Sequence, residues 1–166
     1  MRWLYLFSVW LHIVAAAVWL GGMAFLAAVL APILRQPAHR AEAAALIAQT
    51  GRQFRWIGWL CLLLLLATGV VNLASRGLQW TDVWNGQLWA GGFGHTLAAK
   101  LFLVAVSLGL SLLHDFLVGP QATAVARTAP GSPAAVRLRR RAAWLGRVNL
   151  LLALLIVALA VVLVRG

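Results

Sequence analysis

The sequence predicts an all-α integral membrane protein: a single antiparallel four-helix bundle over residues 1–166, with both termini on the non-cytoplasmic side. Three observations carry that expectation. Hydrophobic residues fill 63% of the 166 positions against 10% charged, and mean hydropathy is +0.91. A soluble domain needs about a quarter of its residues charged to clothe its exterior. Four apolar runs each supply most or all of the roughly 20 residues that cross a hydrocarbon core as a helix. Most of the arginines fall into two of the loops between those runs.

The first run extends from Trp3 toward Leu34 without a charge and should end near Pro32, because proline opposes continued helix. Arg2 and Ala15-Ala16-Ala17 offer a signal-peptide alternative, which the unbroken apolar stretch beyond them opposes. The second span runs from Trp56 to Leu73 or Ala74, and the third from Phe93 to Val118 with Lys100 inside it. The fourth runs from Trp144 to Val164, with Arg147 near its start. Between the first two spans, Ala38 to Gln53 has helical spacing and is expected to form a short interfacial helix. Pro120 to Pro133, rich in Pro, Gly, Ala and Thr, is expected to be a flexible connector.

Orientation follows from the basic residues. Arg35, Arg40, Arg52 and Arg55 sit in one loop; Arg127, Arg137, Arg139, Arg140 and Arg141 sit in another, with Arg147 just beyond. The opposite side has Arg2, Arg76 and Arg165, so both basic loops are expected in the cytoplasm. The net charge of +11 therefore points to topology and anionic headgroups, not to nucleic acid. Most of the nine tryptophans, including Trp80, Trp84 and Trp89 in the outer loop, fit an interfacial belt. The single cysteine, Cys61, excludes a disulfide framework.

Polar groups inside hydrocarbon are costly and usually turn toward the bundle interior. On the third span Thr96, Lys100, Ser107, Ser111 and His114 lie within about 40° of one line. Cys61, Thr68 and Asn72 share a face of the second span; Ser8, His12, Trp19 and Met23 share one on the first. His12 lies about 13 Å and Lys100 about 10 Å from the outer boundary at 1.5 Å per residue. These two should meet Thr68 and Asn72 in the outer half. His114 and Asp115 should form a separate inner cluster with Arg147. The fourth span, with nothing polar after Asn149, reads as a packing wall.

Each residue also has a plainer role. A lone imidazole can simply bond a neighbouring helix, Lys100 can snorkel to headgroups, and Gly21 and Gly22 can serve close packing. The functional alternative is a metal centre. An intramembrane imidazole commonly ligates haem iron, and a nearby cation can hold a propionate. His12 would then ligate haem b, His95 would be the candidate second ligand and Met23 a remote one. Lys100 would act as propionate or proton partner, and Thr68 and Asn72 would line the pocket beside Gly69. His95 lies about 140° around an ideal helix from Lys100, so joining the site needs an irregular start at Gly91-Gly92-Phe93-Gly94. Copper is the rival. Cu(I) prefers thiolate and thioether ligands, and the chain has two methionines and one cysteine. That scarcity leaves His12 and His95 as copper donors. With three acidic residues, and no Ser-His-Asp, HExxH or phosphate-loop motif, carboxylate hydrolysis and the common nucleophilic chemistries are excluded.

Trp10-Leu11-His12-Ile13-Val14-Ala15-Ala16-Ala17-Val18-Trp19-Leu20-Gly21-Gly22 resembles the first helix of the CopD copper-resistance membrane domain, a His followed by a Trp-x-Gly-Gly step. Phe93-Gly94-His95-Thr96-Leu97-Ala98-Ala99-Lys100-Leu101 is similar to that family's glycine-to-lysine entry into a later helix. HemJ-type protoporphyrinogen oxidases look distantly alike, although Thr96 stands where they carry a tryptophan, and His95 lies near the place of their methionine ligand. The first resemblance implies copper uptake across a bacterial inner membrane, the second haem b. Together the residues and resemblances favour a bacterial inner-membrane protein that binds haem b for electron transfer with a quinol or a periplasmic redox partner. Lys100 would then be the catalytic residue. CopD-like copper binding or transport is the alternative, and a non-catalytic scaffold or complex subunit is the second. A homo-oligomer is compatible with either.

Overall fold

The computed structural model describes residues 2–77 and 80–165. Among them every regular element is helical: α1 (Arg2–Phe25), α2 (Ala31–Ile33), α3 (Arg40–Ala74), α4 (Trp80–Trp84), α5 (Gly91–Leu112), α6 (Gly119–Thr128) and α7 (Pro133–Arg165). Two π-helical turns, Leu26–Leu30 and Leu113–Val118, join α1 to α2 and α5 to α6, and short 3-10 turns cover Pro37–His39 and Gln87–Trp89. Four rods result that are long and apolar enough to cross a membrane: Arg2–Ile33, Ala45–Ala74, Gly91–Thr128 and Pro133–Arg165. A helix satisfies its own backbone polar groups, which is why apolar runs of this length take that form in lipid.

The rods outrun the spans expected from hydropathy. Ala38 to Gln53 is no separate interfacial helix, since α3 starts at Arg40 and continues unbroken into the second span. The expected flexible connector is largely α6, and α7 begins 11 residues before Trp144. Hydropathy marks where lipid starts, whereas alanine- and arginine-rich segments such as these favour helix on either side of that boundary.

Both interruptions of α-helical bonding precede a proline. The N–H of Ala31 reaches the carbonyl of Leu26, and the N–H of Gly119 reaches that of His114, each five residues back. A proline ring crowds the carbonyl four residues earlier. For Pro32 and Pro120 those carbonyls belong to Ala28 and Phe116, inside the two π turns. A π turn opens the helix there and lets the rod continue. Thus Pro32 lies within α2, and the first rod ends one residue past it, at Ile33.

Packing is built from two principal pairs, α1 with α3 and α5 with α7, joined by contacts of α1 with α7. Along α1, Ser8 and His12 meet Thr68, Trp19 meets Gly58, and Gly22 meets Phe54, so positions on α3 fall as those on α1 rise. The Phe54 ring fills the space a Cβ on Gly22 would need; Gly21 has open space there. The second glycine of the pair therefore lets α3 approach. Ala15, Trp19, Cys61, Leu62 and Ala153 form the dry centre, while Leu4, Phe7, Leu63, Phe102 and Leu151 are exposed. A small-residue interior beneath an apolar exterior suits lipid, which gives helices no hydrophobic reason to hide leucines.

Trp3, Trp56, Trp84 and Trp144 are exposed, as a belt requires. The expectation for Trp80 falls on a side chain outside the described residues. Trp19, expected on the inward face with Ser8 and His12, lies in the core at 8% exposure.

Candidate functional site

The His12 cluster joins two helices by a bond between side chains. His12 Nδ1 lies 2.7 Å from Thr68 Oγ1. The Thr68 hydroxyl has one proton, and its nearest acceptor is the Leu64 carbonyl at 2.5 Å, one turn back on α3. With that proton committed, the hydroxyl oxygen accepts from Nδ1–H. The neutral ring then carries its lone pair on Nε2, the nitrogen left free to meet a guest. Ser8 Oγ donates to the Thr68 carbonyl at 3.4 Å, adding a second tie. Ser8 and Thr68 are buried and His12 is half-buried. A Cβ on Gly69 would sit at ordinary contact distance, 3.8 Å, from His12 Cε1, so the glycine borders the ring edge.

Lys100, half-buried on α5, lies within electrostatic reach of both His12 and Arg76. Arg76 closes this end of the bundle: Nη1 donates to the Leu163 carbonyl at 3.3 Å and its guanidinium sits 5.7 Å over the Phe93 ring. One turn beyond Thr68, Asn72 Oδ1 is buried without a partner. His12, Thr68, Lys100 and Asn72 thus gather at one end of the molecule. His95 does not join by this route. It is exposed, and although Gly91 opens α5 with a φ of 72°, the helix runs unbroken through His95 and Lys100, so the offset of about 140° between them stands. Gly94 fits where α5 turns against the Leu88 and Trp89 backbone, with which a Cβ there would collide.

Midway along the bundle, Asn149 contradicts the expectation of a plain packing wall. Ser107 Oγ donates to its Oδ1 at 2.6 Å, and its Nδ2 reaches Ser111 Oγ at 3.0 Å and Met23 Sδ at 3.8 Å. One amide so links α7, α5 and α1. A lone asparagine in an apolar run was signal enough to find it.

The His114 cluster corrects a second expectation. Asp115 pairs with Trp59, not with Arg147: Trp59 Nε1 donates to Oδ2 at 3.0 Å, and His114 Nδ1 meets Oδ1 at 2.8 Å. Arg147 is exposed and donates through Nε to the Ala143 carbonyl of its own helix at 3.1 Å. Trp59 also packs on Phe116 at 5.8 Å, with the Arg55 guanidinium 5.7 Å over the same ring. The Trp59 indole thus serves as a carboxylate's hydrogen-bond donor between α3 and the second π turn.

The residues around His12 do not fit haem b. A macrocycle needs a broad cavity against its axial imidazole and commonly a second axial donor. Neither the cavity at Gly92, Phe93, Thr96, Val162 and Leu163, beside Arg76, nor the one between Leu113, Val118, Arg140, Arg141, Trp144 and Leu145 has His12 in its lining. Met23 is turned to Asn149 and His95 is exposed. Among the described residues no three His, Cys, Asp or Glu side chains converge on one point, so a resident ion would lack a closed protein cage.

Comparison with known proteins favours copper over haem. The family model for copper resistance protein D matches residues 48–163, from within α3 to the last rod, leaving the His12 helix outside the match. An uncharacterized protein of Aquifex aeolicus (strain VF5) is 37% identical over 163 residues, covering 97% of this chain and 94% of that protein. No solved structure matches. With four membrane-length rods and a family match over most of its length, this chain is a multi-pass membrane protein of the copper resistance protein D family.

Proposed function

We propose that this protein handles copper ions as cargo within a bacterial inner membrane, with His12 as the imidazole that meets the ion. The bundle is antiparallel, both termini lie outside and the His12 cluster occupies the outer half, as the arginine loops imply. The carrying observation is the bond from His12 Nδ1 to Thr68 Oγ1 at 2.7 Å, which orients the ring and leaves Nε2 as a donor of a type copper accepts. Asn72 Oδ1 is a second unpartnered donor atom near the same depth. Lys100 opposes a cation at His12. One imidazole beside an ammonium holds an ion weakly, and an ion in transit must be free to leave. Lys100 is thus a residue that sets residence time, and scarce methionine agrees with brief contact more than storage.

The test uses the purified chain in vesicles enclosing a copper indicator. The wild type should admit copper above protein-free vesicles, and His12→Ala should lower the rate at least about tenfold with helical content unchanged. Equal rates for wild type and His12→Ala, or no flux above empty vesicles, would reject the assignment.

A further inference from the structure

The groove between the second π turn and α7 has a shape that the α5–α6 rod would not make as a regular α-helix. Its volume is about 530 Å³, and it is lined by Leu113 and Val118 on one side and Arg140, Arg141, Trp144 and Leu145 on the other. Residues five apart on an α-helix point about 140° away from each other. Leu113 and Val118 are five apart and yet face one groove, because they open and close the π turn, where bonding runs i to i+5. On α7 the positions 140, 144 and 141, 145 are α-helical neighbours, which stack guanidinium, indole and isobutyl groups along one stripe. The walls are almost wholly apolar, and two exposed guanidiniums stand at the groove. Among the described residues no carboxylate pairs with either arginine, and Arg137 and Arg139 on the same helix are also exposed.

We propose that this groove is a binding site for one anionic phospholipid. The acyl chain lies against Leu113, Val118, Leu145 and the Trp144 indole, and the phosphate meets Arg140 and Arg141. Charge complementarity selects this occupant. Arginine's fork of donors suits phosphate oxygens, and unpaired basic groups beside membrane helices attract acidic headgroups. A purely apolar partner helix would leave both guanidiniums without a counter-charge. Pro120 underlies the site, since it is the residue that requires the wide turn. The inference does not depend on the copper assignment.

The test is native mass spectrometry of the full chain released from mixed phosphatidylglycerol and phosphatidylcholine micelles. The wild type should retain one phosphatidylglycerol in preference to phosphatidylcholine. Arg140→Gln/Arg141→Gln should lower that preference about tenfold or more, while Arg35→Gln/Arg52→Gln, which removes the same charge from the other basic loop, should leave it intact. Leu113→Trp keeps both guanidiniums but fills the groove, and should also reduce retention. Equal loss in both double arginine variants would reduce the effect to general surface charge and overturn the site. So would an unchanged preference in Arg140→Gln/Arg141→Gln, full retention in Leu113→Trp, or a lipid-free dimer that those variants dissociate.

Discussion

The two intramembrane histidines on which the molecule turns make nearly the same bond with opposite consequences. His12 and His114 each anchor Nδ1 on an oxygen, at 2.7 and 2.8 Å. For His12 the acceptor is a neutral hydroxyl on another helix, 56 residues away, and the nearby charge is the cation Lys100. For His114 the acceptor is the carboxylate of the next residue, itself held by the Trp59 indole. The first bond exists only while α1 and α3 stay in register; the second is written into one turn of one rod. A hydroxyl orients an imidazole without giving it a counter-charge, which keeps the ring available to an electron-poor guest. A carboxylate occupies the ring in a local hydrogen bond and turns the residue into a fastener.

Breaking the tertiary bond should have the largest effect. Thr68→Val removes the acceptor for Nδ1–H, and copper flux should fall about tenfold, with Thr68→Ser recovering most of it. Flux unchanged in Thr68→Val would mean that the hydroxyl does not set the ring. At the other cluster, Trp59→Phe deletes the indole bond to Asp115 and should cost about 1.5 kcal/mol in a detergent unfolding titration. Copper flux in that variant should match wild type; a parallel loss would erase the distinction between guest-binding and fastening histidines. Lys100→Met should tighten copper several-fold in competition with a chelator, roughly 1 kcal/mol, and weaker binding would make Lys100 a ligand. Arg147→Gln should change unfolding by less than about 0.5 kcal/mol, because Nε bonds only its own helix. A larger loss would restore the pairing with Asp115.

The spans were legible because lipid imposes a simple rule of length and charge. So was the depth match of His12 to Thr68, since rise per residue converts position to height. Rotation between rods was harder. Nothing in the spacing of Asp115 says whether it faces Arg147 or Trp59, and a tryptophan near a span end has two good uses. The continuous α3 was hidden because hydropathy falls at Arg55 while the backbone does not change. Asn149 was visible and undervalued, its partners being two serines that could each have bonded their own helix. Between the two metals the ranking, haem b before copper, ran against the family match for a different reason. A single imidazole beside an ammonium suits several chemistries, and the missing methionines counted against copper only on the assumption that the ion stays.

The wide turn before Pro120 acts as a phase shifter. It inserts the equivalent of one extra residue into a 3.6-residue repeat, so the faces of α6 are turned by about 100° from where α5 would have carried them. Apolar stripes traced across that point with a single angle will blur, although each half is regular by itself. Genetically, the operation that would undo it is the loss of one codon between Leu113 and Val118 together with Pro120→Ala. Such a deletion would leave every face downstream aimed as it is now, whereas Pro120→Ala alone, by letting the turn close to α-helical bonding, would re-aim them all.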